Sequence, residues 1–200
     1  LSNLVQVTQG PRFKPAPQML GDVITLHESV DYSVQVSYKQ LLIVDDDPYG
    51  ALRWAGTPPP ALSTLSDRVV TLGTTSKILA PGLRVGWAVA PAPLAARLVV
   101  LKQAADLHTS SLNQAIAATV LTRPGFLEPH LDGLRDRYRH QSRALQDALG
   151  AHLGDRVAFH APEGGMFLWG RLRDDTDTAA LLPQALAAGM AFVPGAAFSI

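Results

Sequence analysis

Short unbroken apolar runs, each closed by a polar cluster, recur through the first half of the chain. "LLIV" (41–44) ends in "DDDPYG", "RVVTLG" (68–73) runs into "TTSK", and "LRVGWAVAP" (83–91) stops at a proline. An apolar run of roughly four to eight residues bounded by turn formers reads as a strand buried on both faces. Three in succession predict an open sheet. Residues 1–40 are weakly patterned: "GPRFKPAPQ" predicts a Pro-rich loop, and faint alternation in "YSVQVSY" predicts one short strand.

The period then changes. From Pro93 to about Leu121 apolar residues fall at helical spacing, until "TRPG" (122–125) interrupts them. A second helix is predicted from Phe126 to Leu153, with Leu134, Tyr138, Leu145 and Leu149 near one side and charges on the other. Its length suits a connector between domains. Strand-like "RVAFHA" and "MFLWGRL" flank the turn "PEGG", a helix runs through "DTAALLPQALAAG", and "MAFVP" predicts a last strand. The expected organisation is α/β: part of a mostly parallel-sheet large domain over residues 1–124, then part of a smaller α+β domain over 125–200, with the boundary near Gly125.

Composition narrows the function. Lys+Arg 17 balance Asp+Glu 17, so no positive field invites nucleic acid or an anionic membrane. The absence of cysteine removes disulfides, thiolate catalysis and Cys-based zinc sites, and fits a cytoplasmic setting. No apolar run approaches the roughly 20 residues that span a bilayer. Small molecules are the expected partners. "GTTSK" lacks the glycine directly before lysine that a phosphate-binding P-loop needs, and "HESVD" (27–31) is not a zinc-protease H-E-x-x-H, so no metal site is expected.

Two polar clusters remain, each at the end of a predicted strand, where open α/β sheets bind ligands. Lys77 in "TTSK" can form a Schiff base with a carbonyl when burial or neighbouring cations favour its neutral form. The hydroxyls of Thr74, Thr75 and Ser76 with the guanidinium of Arg84 are suited to a phosphate monoester, although Thr74 and Ser76 could instead cap a helix starting after Lys77. A carboxylate from "DDD" could partner a pyridine nitrogen, although such a triplet before Pro-Tyr also serves as a turn cap. A ligand carrying both an aldehyde and a phosphate would satisfy both clusters, and pyridoxal phosphate is such a ligand.

"DDDPYG", "TTSKILAPGLRVGW" and "PEGGMFLW", in this order, resemble fold-type-I pyridoxal-phosphate enzymes of the class I/II aminotransferase superfamily, especially the aminoadipate, aromatic and multi-substrate aminotransferases. The resemblance covers about residues 41–200 and rests on S-K-x-x-x-P-G-x-R-x-G together with D-x-x-Y. It implies that Lys77 forms the internal aldimine and moves the α-proton. It further implies that Asp46 pairs with the pyridine nitrogen, Tyr49 bonds the ring's phenolic oxygen, and Thr74, Ser76 and Arg84 hold the phosphate. Asp45 and Asp47 would be supporting residues.

The implied reaction moves an amino group between an amino acid and a 2-oxo acid such as 2-oxoglutarate, in a homodimer. MocR-type transcription regulators share the motifs, which leaves a cofactor-binding effector domain as an alternative, and a pyridoxal-phosphate lyase as another. Nothing in residues 1–40 matches the family's P-x-x-x-N-P-T-G-like segment, and the stretch that supplies the substrate-carboxylate arginine is not found. The chain is therefore expected to be incomplete, and as an isolated polypeptide to be poorly stable and without turnover.

Overall fold

The computed structural model describes residues 4–7, 23–26, 42–174 and 176–198. The chain divides into two compact units, Leu1–Gln141 with Glu163–Met166, and Ser142–Pro162 with Phe167–Ile200. That division falls within a helix, whereas the sequence pattern places a boundary near Gly125.

The first unit is built on a five-stranded sheet whose spatial order follows the chain: β1 (Leu4–Val7), β2 (Val23–Leu26), β3 (Leu42–Asp46), β4 (Val69–Thr74) and β5 (Gly86–Val89). Pairs β1–β2, β2–β3 and β3–β4 are parallel, and β5 joins antiparallel to β4. β1 and β2 arise in the stretch with no clear pattern. Both "YSVQVSY" and "GPRFKPAPQ" lie outside the described residues.

β3 continues past its apolar run through Asp45 and Asp46, and its residues are half-buried rather than enclosed. β4 begins on the buried pair Val69 and Val70. β5 departs from expectation, because all four of its residues are exposed. Among the described residues it is an edge strand, paired with β4 alone. Gly73 faces Trp87 across this pair, and a Cβ there would stand 2.2 Å from the indole, so only glycine leaves the ring room to lie over β4.

The link from β3 to β4 contains no α-helix. It makes two single 3-10 turns, Gly50–Leu52 and Leu62–Thr64, and each plants one leucine, Leu52 and Leu62, in the core. Burying such a side chain contributes roughly 1.5–3 kcal/mol, which fixes a loop that its backbone bonds alone would leave loose.

The single helical stretch expected from Pro93 to Leu121 is two helices, α1 (Ala92–Asp106) and α2 (Ser111–Leu121). Between them Leu107 takes a φ of 68°, and the amide of His108 donates to the carbonyl of Asp106 at 2.8 Å, closing a γ-turn. Ser110 then caps α2 by accepting from the Asn113 amide. α3 (Leu127–Leu153) matches its predicted span and buries Leu131.

The second unit pairs β6 (Val157–Phe159) antiparallel with β7 (Gly170–Leu172), and adds α4 (Thr178–Ala187), whose first turn is capped by the Asp177 carboxylate. Two expected strands shrink or vanish. "MFLW" does not extend β7, because Gly165 has a φ of +77° and the amide of Gly165 bonds the Leu52 carbonyl instead of a strand. "MAFVP" forms no strand, since Pro194 leads into a 3-10 turn at Gly195–Phe198.

Leu52 is fully buried, so Leu52→Ala should lower stability by about 2–5 kcal/mol, read as a shift in the urea midpoint. Leu65→Ala, at a position 62% exposed, should stay within about 0.5 kcal/mol of the parent.

Candidate functional site

Parallel strands β3 and β4 end side by side. Asp46 stands in register with Leu72, and Thr74 lies two residues beyond Leu72, so Asp46 and Thr74 share one face of the sheet at its carboxyl edge. Asp45, paired with Thr71, faces the opposite side. The acidic triplet is thereby split between two faces and a turn.

Asp47 is the turn cap. Its carboxylate accepts from the amides of Tyr49 (3.2 Å) and Gly50 (2.6 Å), and a Cβ on Gly50 would fall 2.0 Å from it. This cap turns the chain sharply after β3 and sets Tyr49 at the rim. Lys77 reaches the same rim from β4: its Nζ lies 5.7 Å from the centre of the Tyr49 ring, a cation–π distance. Lys77 is half-buried, and no carboxylate among the described residues pairs with it.

The lysine turn is knotted to the entry of β5. The carbonyl of Val85 accepts from the Thr75 amide at 3.0 Å, the Thr75 hydroxyl at 3.1 Å and the Thr74 hydroxyl at 3.3 Å. The Thr74 hydroxyl in turn accepts from the Ser76 amide at 3.0 Å. Amides of Leu79 and Ala80 both return to the Thr75 carbonyl, so residues 75–80 form a tight turn and not a helix capped by Thr74 and Ser76. Thr75 is fully buried and its hydroxyl is engaged, which removes it from the expected phosphate donors and makes it a structural post. Thr74 and Ser76 remain half-buried at the edge.

Arg84 is exposed, in the left-handed region with a φ of 53° and ψ of 36°, and its guanidinium donates to the Pro81 carbonyl at 3.3 Å rather than to Thr74 or Ser76. A non-glycine residue held there costs of order 1–3 kcal/mol, which the turn around it must offset. Asn113 of α2 helps by donating to the Leu83 carbonyl at 3.0 Å.

Several supporting residues carry no signal in the sequence. His130 of α3 meets the carbonyl of Ile78 at 2.9 Å, and Arg135 donates its Nε to the carbonyl of Ala51, also at 2.9 Å. Arg53 pairs with Glu163, and the Glu163 carbonyl accepts from the amides of Trp54 and Ala55. Gly164 is packed so closely that a Cβ would stand 2.8 Å from the Arg53 Cα. The turn after Tyr49 is held by these bonds on its far side. A cavity of about 420 Å³ lined by Arg53, Trp54, Asp132, Arg135, Asp136 and Arg139 contains none of the predicted site residues.

The donor set fits pyridoxal phosphate. An amine that no carboxylate among the described residues pairs with stands over a tyrosine ring, with a carboxylate on the neighbouring strand end and the Thr74 and Ser76 hydroxyls close by in sequence. Among the described residues no group of three His, Asp or Glu side chains could hold a metal ion.

Comparison with known proteins agrees with that chemistry. Residues 16–199 match the family "Aminotransferase class I and II". The aromatic-amino-acid aminotransferase 1 of Thermococcus litoralis is 40% identical over 164 residues, which are 81% of this chain and 39% of that protein. The crystal structure of the alpha-aminoadipate aminotransferase LysN of Thermus thermophilus, complexed with N-(5'-phosphopyridoxyl)-L-leucine, superimposes with a TM-score of 0.74 at 38% identity, over 80% of this chain and 42% of that one. An uncharacterised HTH-type transcriptional regulator of Bacillus subtilis, YdfD, is 33% identical over 76% of this chain and 32% of its own length. The chain thus spans less than half the length of each of these three relatives.

Burial, and then the neighbouring carboxylates of Asp47 and Asp46, raise the pKa of Asp45 above the ordinary carboxylate value. The folded protein therefore holds that proton more tightly than the unfolded chain, and stability falls as pH rises from the unfolded value through the folded one. Asp45→Asn should accordingly be more stable than the parent at neutral pH, and the gain should disappear at about pH 3, below the unfolded value. Urea midpoints at both pH values check it.

Proposed function

The chain belongs to the class I and II aminotransferases, and from that premise we propose that it carries the lysine-bearing wall of a pyridoxal-phosphate enzyme moving an amino group from an amino acid to a 2-oxo acid, with 2-oxoglutarate as acceptor. The observation that carries the reading is the meeting of Lys77 with Tyr49 at the carboxyl edge where β3 and β4 end. Pyridoxal phosphate, when bound, supplies an aldehyde and an electron-withdrawing ring.

The residues of this chain do the rest. Asp46 offers a carboxylate to the ring nitrogen, and its negative charge favours the protonated, electron-poor ring. Tyr49 would offer its hydroxyl to the ring oxygen. Ser76 would supply a neutral donor to the phosphate, Thr74 a second once its hydroxyl leaves the Val85 carbonyl, and Arg84 a permanent charge once its guanidinium leaves the Pro81 carbonyl. Lys77 would hold the cofactor at its aldehyde end, and its amine, when free, would take up and return a proton. Asp47 serves as the cap that places Tyr49. The assembly is a cytoplasmic homodimer in this reading.

A second reading, a cofactor-binding effector domain without turnover, is favoured by the similarity to the Bacillus subtilis regulator. Product analysis separates the two. The full-length protein, loaded with pyridoxal phosphate and given aromatic amino acids or 2-aminoadipate with 2-oxoglutarate, should form glutamate in step with the matching 2-oxo acid. Lys77→Ala should lose at least about a hundredfold in that rate, the scale of a removed general base. Cofactor binding without glutamate would favour the regulator, and release of ammonia would point to a lyase; a Lys77→Ala protein as fast as the parent would refute both the role and the reading.

A further inference from the structure

One helix grips both sides of the rim. His130 and Arg135, five residues apart on α3, each place a side-chain N–H on a main-chain carbonyl: His130 on Ile78 at 2.9 Å and Arg135 on Ala51 at 2.9 Å. Ile78 directly follows Lys77, and Ala51 lies two residues after Tyr49. Since a carbonyl can only accept, Nε2 of His130 must carry its proton. The imidazole is steadied by stacking on Phe126, with ring centres 5.4 Å apart and planes 14° from parallel. The guanidinium of Arg135 is steadied by Asp132 at 2.8 Å and Glu128 at 3.5 Å. Between the two donors Leu131 is 3% exposed, which anchors this part of the helix in the core.

We propose that His130 and Arg135 are positioning residues that set the separation of Lys77 from Tyr49, acting through the carbonyls of Ile78 and Ala51. The proposal rests on the functional reading above for its purpose, while its geometry stands without the cofactor. Lysine is a long and flexible side chain, and fixing the main chain next to it removes the coarsest of its freedoms. Tyr49 is fixed from the other direction by the Asp47 cap and the Ala51 carbonyl. A single rigid element thus carries both partners, so their spacing does not depend on two independently mobile loops. The printed bonds of both donors go to main-chain carbonyls, so truncating them removes no side chain from the rim.

The test uses the cofactor-free full-length protein and reads the acetylation rate of Lys77, by peptide mass spectrometry, relative to exposed Lys102. In His130→Leu the lysine should leave the Tyr49 ring and react about two- to fivefold faster relative to Lys102, the factor that corresponds to a lost cation–π contact. His130→Gln, which restores an N–H donor, should return the ratio toward that of the parent. If His130→Leu does not fold, Arg135→Lys, which keeps a charge for Asp132 and Glu128 but loses the planar guanidinium reaching Ala51, should raise the ratio in the same way. An unchanged ratio in folded His130→Leu or Arg135→Lys would overturn the proposal, as would equal ratios in His130→Leu and His130→Gln. A parent protein that binds no pyridoxal phosphate would instead overturn the functional reading, and the acetylation ratios would still judge the brace.

Discussion

The carbonyl of Val85 is the knot on which this site depends. It gathers three donors from Thr74 and Thr75, two of them hydroxyls, and so joins the end of a parallel strand to the start of an antiparallel one across the lysine turn. Each bond contributes on the order of 1 kcal/mol net, yet leaving the Thr75 hydroxyl unsatisfied inside the core would cost about 1–3 kcal/mol. With that carbonyl occupied, the chain between residues 75 and 80 closes on itself and presents Lys77 outward to the rim. The strained Arg84 sits one residue before the same carbonyl.

From this knot the rest follows by layers. The carboxyl edges of β3 and β4 bring a carboxylate and a hydroxyl to one face, the Asp47 cap swings Tyr49 over that edge, and the lysine amine meets the tyrosine ring there. The amine there is half-buried, lies against an aromatic face and pairs with no carboxylate among the described residues. Asp45, forced to the opposite face by strand alternation, bears the electrostatic cost of the acidic triplet, through its burial and its two acidic neighbours.

What could be read from the residues was what is local. The runs at 41–44 and 68–73 and the long amphipathic stretch after Phe126 became β3, β4 and α3, because burial and period leave a direct imprint on composition. The lysine motif was legible because its glycines, proline and hydroxyls all serve one turn. β1 and β2 were not, since four-residue strands such as "LVQV" and "VITL" acquire meaning only from pairing with distant strands. The break at Leu107 hid within apolar helical spacing, although Ser110 was an available cap signal. His130 and Arg135 left no trace, because their partners lie 52 and 84 residues away and are backbone carbonyls that any residue could offer. Thr75 looked like one more phosphate hydroxyl, and only burial distinguishes it from Thr74 and Ser76.

The claim that unites these observations is that one lysine, Lys77, is the attachment point for the cofactor. Borohydride reduction of the full-length protein loaded with pyridoxal phosphate, followed by peptide mass spectrometry, addresses it directly. The account predicts a phosphopyridoxyl mass on the peptide containing Lys77 and none on those containing Lys14, Lys39 or Lys102. Labelling at one of those three instead, or at all four alike, would contradict it.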